Sequence, residues 1–373
     1  MLKKAALFAL ATALPLAGLQ APAQAKDLAQ MSWDEIVAQA KKEGEVSWFN
    51  WYFQDRFREQ VKAFETETGI KVTIPNGEAK ANQDKMMAEK SRAEGDIDVI
   101  SFGGAALNTF KPEEVFFGPL TALLPEGAKL RYKIEGVDNK GYAPAFWGNQ
   151  TGIAYNPALI KEAELPHTLD DFVAFMKKNP GQVGFNTENG GSGPAFIEAV
   201  TRALVKDIDY TDGTSSPDKI AKLAPAWSWF KANQAGYVIT ASNADSVTRI
   251  NSGEFKLVAA WEDQIAGLQV KGEVSKDIKM YVPDFGMPGG GNVVAIPANA
   301  RHKAAALVFI NWLTSGKTQT QFAKVFGIAP QNPDADSSVG LIPAADRKFS
   351  TVWAAKPFGD DIKKTFVGKV TLN

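Results

Sequence analysis

The 373-residue chain contains no cysteine and only two histidines, His167 and His302. The first absence excludes disulfides, thiolate metal sites and cysteine nucleophiles, so stability has to come from packing. The second leaves no multi-histidine zinc site, and neither histidine falls within a metalloprotease pattern. An excess of one charge is missing too. With 41 basic residues against 42 acidic ones, nothing electrostatic points to nucleic acid or an anionic membrane as a partner. The Walker phosphate loop does not occur, and Gly190-Gly191-Ser192-Gly193-Pro194 has proline where a nucleophile elbow requires glycine. Past the N-terminus no segment reaches membrane-spanning length without charge. Neither a cofactor nor a metal is expected.

What is present at the start is a three-part secretion signal: Lys3 and Lys4, an apolar run from Ala5 to Leu19, and the small residues Ala23 and Ala25 around Gln24. The pattern predicts cleavage after Ala25 and places the mature protein in the periplasm. The apolar run is shorter than the ~20 residues that span a bilayer and contains Pro15 and Gly18, which argues against a membrane anchor. No cysteine follows it to carry a lipid. Lys3 and Lys4 leave with the signal, so 39 basic residues then face the 42 acidic ones.

The remaining length exceeds what one hydrophobic core usually serves, and two lobes are expected. Ser32-Trp33-Asp34-Glu35 reads as a capping box opening a helix to about residue 42. A strand over 46–49, a helix over about 54–68 with Phe57, Val61 and Phe64 on one face, and a strand over 70–74 form a strand-helix-strand unit. A helix over about 82–94 leads to a strand at 98–101. A second α/β region starts after a crossing strand at 151–155. It carries a helix over 169–178 capped by Thr168, a strand at 182–185, a helix opening near Ser192 with Pro194 in its first turn, and a strand at 257–260. Strands at 280–283 and 292–296 return towards the first region. This alternation predicts an α/β fold with ligands at the carboxyl ends of the strands.

Binding chemistry gathers at those ends. Asn50, Trp51 and Tyr52 follow the first strand, Trp147 precedes the crossing strand, and Trp261 ends another. Aromatic faces can wall a cleft or attract a cation, and Asn50, Glu262 or Asp263 can receive amino groups. Trp48 is expected in the core, because alternation turns it away from Phe49. Ser101 with Gly103-Gly104, and Ser192 with Gly193, each set a hydroxyl and open backbone amides at a helix start, which suits an anion as well as a plain cap. Glu262 and Asp263 also leave open an exported acid-base hydrolase or lyase, and a sensory module without a transport role is a third reading.

With these residues assembled, the chain resembles the extracellular solute-binding proteins of bacterial ABC importers, in the group of spermidine/putrescine-binding proteins and their thiamine- and iron-binding relatives. Phe49-Asn50-Trp51-Tyr52, the run Ala63-Phe64-Glu65-Thr66-Glu67-Thr68-Gly69-Ile70-Lys71-Val72, Asp96 to Ser101, Pro144 to Asn156, and Ala295-Ile296-Pro297-Ala298-Asn299-Ala300 with Ala306 to Leu313 carry the likeness. The resemblance implies a two-lobed periplasmic-binding-protein fold (type 2), α/β, each lobe a mixed sheet flanked by helices and joined by crossing hinge strands. It implies one small-molecule solute between the lobes, an inner-membrane permease as partner, and a monomer. The lobes are expected at 26–150 with about 283–330, and at about 151–282, followed by a C-terminal helical and loop segment at 331–373. Gly289-Gly290-Gly291-Asn292 stands where polyamine binders have an aromatic and an acidic residue, and the paired tyrosines of iron binders are not evident. Ser192 to Phe196 is closer to the thiamine- and iron-type helix start. A cationic or zwitterionic amine is the favoured solute, because aromatics and cleft carboxylates coexist with possible anion seats. The candidate binding set comprises Asn50, Trp51, Tyr52, Ser101, Phe102, Gly103, Trp147, Asn149, Ser192, Gly193, Trp261, Glu262, Asp263 and Asn292, with no catalytic residue.

Overall fold

Ser32 starts the first long helix as its sequence requires. Its Oγ accepts from the Glu35 amide at 3.3 Å while Glu35 Oε2 accepts from the Ser32 amide at 2.7 Å, and the helix Trp33–Glu43 closes at Gly44 with φ 75°. The computed structural model describes residues 27–134 and 137–372; the secretion signal read at 1–25 lies outside the described residues.

Among the described residues there are twelve strands: β1 (Glu45–Phe49), β2 (Lys71–Thr73), β3 (Val99–Gly103), β4 (Lys133–Ile134), β5 (Val137–Asp138), β6 (Ala145–Tyr155), β7 (Val183–Asn186), β8 (Tyr237–Thr240), β9 (Leu257–Trp261), β10 (Lys279–Tyr281), β11 (Met287–Ala295) and β12 (Ser350–Thr351). β4 and β5 make a separate hairpin. The rest form one path in the order β2-β1-β3-β11-β6-β9-β7-β8, with β10 added to β6 and β12 to β11. Within it β1, β2 and β3 are parallel, as are β7, β8 and β9, while β6 runs antiparallel to its neighbours and β11 is antiparallel to β3 and β6 but parallel to β12. The arrangement is the mixed α/β, two-lobed periplasmic-binding-protein fold.

β6 belongs to both halves. Residues Ala145 to Gln150 pair with β11, and Thr151 to Tyr155 pair with β9. It starts six residues earlier than the sequence pattern marked, because Ala145 to Gln150 are a glycine- and polar-containing run that does not alternate. The first lobe has a core on each face of its sheet. Trp48, Phe57, Phe64, Val294 and Phe309 lie on one side, and Ile100, Phe102, Phe116 and Val293 on the other. The second lobe is built around Phe172, Phe185, Phe196, Phe230 and Val258, and the C-terminal segment adds Ile342, Phe358, Ile362 and Phe366 to that same core. The expected burial of Trp48 is observed, at 0% exposure.

Candidate functional site

Strand register locates the site. Gly103, the last residue of β3, lies opposite Asn292, and Asn292 lies opposite Trp147. From the other lobe, Trp261 at the end of β9 lies opposite Thr151. The carboxyl ends of the two parallel sets therefore point at each other across Gly148-Asn149-Gln150, a gap of about 13 Å at ~3.3 Å per residue. Hollows of about 400 and 760 Å³ elsewhere on the surface contain no residue of β6 or β11. A cavity of about 330 Å³ does. It is bounded by Gly148, Asn149, Gln150, Gly289 and Gly290 of the crossing strands, together with Arg131, Gln331, Arg347 and Thr351.

The segment after β1 reaches this crossing through its aromatics. Trp51 packs edge-on against Tyr52 at 4.6 Å, and Tyr52 against Trp147 at 5.1 Å. Asn50 is fully buried, its Nδ2 donating to Tyr52 O at 2.6 Å and its Oδ1 left without a partner. The Tyr52 hydroxyl faces the Asn292 side chain but closes no hydrogen bond, and burial holds its pKa well above the ordinary value. Asn149 donates to Asp263 Oδ2 at 2.9 Å, while its own Oδ1 has no partner. Buried polar atoms are rarely left unpaired, and this concentration makes the crossing the candidate binding place.

Trp147 has a different surrounding from the expected cleft wall. The pairing of β6 with β11 slips at this point, with Trp147 opposite Asn292 and Ala145 opposite Val293, so Phe146 is a bulge residue. A bulge breaks alternation, and Phe146 and Trp147 both enter the first core at 0% exposure. Trp147 packs on Phe326 at 4.9 Å and Phe57 at 5.3 Å. Only its indole nitrogen is turned towards Asp263.

Both anion seats read from the sequence are filled from within. Ser101 Oγ accepts from Trp48 Nε1 at 2.6 Å and is buried. Phe102 beside it stacks on Phe116 at 5.6 Å in the core, and Gly103 lies against the Asn292 side chain. At the helix Ser192–Leu204, Asn243 Oδ1 receives the Ser192 amide at 3.2 Å and its hydroxyl at 2.7 Å, and Asn186 Oδ1 receives the Gly193 amide at 3.0 Å. Two asparagine side chains thus occupy the amides that an anion would use. A Cβ on Gly193 would stand 1.7 Å from Asn186 O, which is why this turn takes glycine.

The two carboxylates are also engaged. Glu262, with no exposure, takes a two-pronged bond from Arg347, Nη1 at 3.2 Å and Nη2 at 2.8 Å. Burial nevertheless pushes its pKa up to about 7, against the lowering effect of Arg347. Asp263 is pushed up to about 6 by burial, partly offset by the Gln264 amide and by Asn149 and Trp147. Trp261 is half-buried and lies 6.0 Å from Trp353 at an interplanar angle of 30°, with Gly191 beneath its ring. Arg131, Gln331, Arg347, Thr351 and Trp353 escaped the sequence reading, since they come from loops, a short 3-10 turn and a two-residue strand, all too short to show a period.

The bacterial extracellular solute-binding protein family matches residues 59–349, and the chain belongs to it. It is 24% identical over 322 residues to the Fe(3+)-binding periplasmic protein of Serratia marcescens, covering 83% of this chain and 85% of that one. It is 22% identical over 337 residues to the putrescine-binding periplasmic protein SpuD of Pseudomonas aeruginosa, covering 86% and 82%. The fold matches the spermidine/putrescine substrate-binding protein PotD of Streptococcus pneumoniae with a TM-score of 0.65 at 14% identity, covering 87% of this chain and 99% of that structure. Proteins of this family bind small-molecule solutes and work with ABC permeases.

Proposed function

We propose that this protein captures a small polar organic solute at the crossing of its two lobes and passes it, unchanged, to an inner-membrane ABC permease, acting as a periplasmic monomer after removal of residues 1–25. The lobes on this reading are 26–150 with about 283–330, and about 151–282. Hinge movement between them couples capture to docking. The carrying observation is the convergence of both sets of strand ends on Gly148-Asn149-Gln150, where Asn50 Oδ1, Tyr52 Oη and Asn149 Oδ1 are buried without partners.

A zwitterion is favoured over a purely cationic amine. Glu262 is already neutralised by Arg347, and Asp263 is held by Asn149, which leaves little free negative charge for a diamine. The named ligands of the relatives, ferric iron and putrescine, are therefore less suited to this cleft than a solute carrying both signs. An acid-base enzyme is disfavoured because Glu262 is fully buried beneath its arginine.

Thermal unfolding of the purified protein against amines, zwitterions, phosphate esters and ferric iron tests the reading. A ligand at ~100 times its dissociation constant adds about 2.7 kcal/mol. A saturable rise in midpoint with the ligand recovered intact by mass spectrometry supports a carrier. Chemical conversion of the bound compound would sink it.

A further inference from the structure

Gly148, Asn149, Gln150, Gly289 and Gly290 of the crossing strands line the 330 Å³ cavity, which Arg131, Gln331, Arg347 and Thr351 close. We infer that this cavity seats one anionic group of the transported solute, a carboxylate or a phosphate, on Arg131, Arg347 and Thr351. The inference rests on the carrier reading and names the chemistry of its ligand.

Three observations carry it. First, unpartnered donors meet there. Arg347 spends Nη1 and Nη2 on Glu262, but its Nε is buried with nothing to bond, and Thr351 Oγ1 is in the same condition. Second, the charge does not balance. Arg131 donates Nε to Lys133 O at 3.0 Å and Nη1 to Gln331 Oε1 at 3.2 Å, both neutral, and no carboxylate among the described residues pairs with it. With Arg347 cancelled by Glu262, the cavity keeps one positive charge in excess and has no acidic residue on its wall. Third, the glutamine acceptors on the wall are consumed. Gln150 Oε1 takes the Ser350 hydroxyl at 2.6 Å, and Gln331 Oε1 takes Arg131 Nη1 at 3.2 Å, which leaves Asn149 Oδ1 as an unpartnered acceptor beside the free donors. Arginine with a hydroxyl donor is the set that receives anionic oxygens, and the adjoining Asn149 Oδ1 suits the amino group of a zwitterion. About 330 Å³ lies at the small end of ligand cavities, which suits a compact solute.

The test compares three probes of similar size by calorimetric titration and thermal unfolding: 4-aminobutyrate, which has an amine and a carboxylate; phosphoethanolamine, which has an amine and a phosphate; and putrescine, which has amines only. Binding of 4-aminobutyrate or phosphoethanolamine, with putrescine inert, is expected, and the stronger of the two tells carboxylate from phosphate. Arg131→Gln should weaken that binding at least tenfold, Arg131→Lys less, and Thr351→Val three- to tenfold, with circular dichroism and melting of the free proteins checking the fold. Putrescine binding alone, or affinity within threefold of wild type in both Arg131→Gln and Thr351→Val, overturns the anion seat. If putrescine binds and is released unchanged, the carrier reading survives that loss. If none of the three binds at 10 mM and no other compound shifts the midpoint, both fail.

Discussion

Stability of the ligand-free protein should fall between pH 5 and pH 8, and the two buried carboxyls at the crossing contribute most of the fall, with Glu198 and Asp346, also raised by burial, adding in the same direction. Glu262 stands at about 7 against an ordinary 4.5, and Asp263 at about 6 against 3.8. A carboxyl raised on folding binds its proton more tightly in the folded state. Its contribution is fully present below the unfolded value, near pH 4, and is lost as pH rises through the folded value. At 1.36 kcal/mol per pH unit, the shifts are worth about 3 kcal/mol for each group. Surface carboxylates held low, such as Asp96, Asp171 and Asp209, titrate below this window and do not mask the effect. Chemical denaturation at pH 5, 6, 7 and 8 measures it, and Glu262→Gln should remove roughly half of the slope while keeping a neutral acceptor for Arg347. A stability that is flat or rises across the window, or a slope unchanged in Glu262→Gln, would falsify the claim that burial outweighs the Arg347 pair.

Other expectations separate core from cleft. Trp147→Ala should cost about 3–5 kcal/mol in unfolding experiments, as a fully buried aromatic does, whereas Trp51→Ala should leave most of the stability and lower solute affinity by more than threefold. Gly193→Ala forces a Cβ into Asn186 O and should lose about 1–3 kcal/mol; an unchanged melting temperature would show that the turn can shift. Ser32→Ala removes one half of the capping box and should cost about 0.5–2 kcal/mol, read from the denaturation midpoint.

Local order was legible in the sequence wherever it rests on neighbouring residues. The capping box at Ser32, the face Phe57, Val61 and Phe64, the strand burying Trp48, and the cap at Thr168 all follow from spacing. The site was legible only in outline. Asn50 bonds to Tyr52 and Tyr52 packs on Trp147 beside the crossing, but the surroundings of each candidate depended on partners far away in the chain. Glu262 meets Arg347 across 85 residues, and Ser192 meets Asn243 across 51. Trp147 was turned by a single bulge residue that no alternation rule anticipates. Arg131 sits on a loop and Arg347 on the short 3-10 turn Ala344–Phe349, where composition and period say nothing about direction.

The position of β11 between β3 and β6 has a consequence for how the chain is made. The first lobe cannot complete its sheet until residue 295 exists, and its core also waits for Phe309, Phe322 and Phe326. The second lobe in turn waits for Phe358 and Phe366, close to the very end. Neither half can finish before residues beyond 320 exist, so a nascent chain offers no early folded unit. For a protein synthesised on one side of a membrane and used on the other, that late closure keeps nearly the whole length in a form that can still be threaded through.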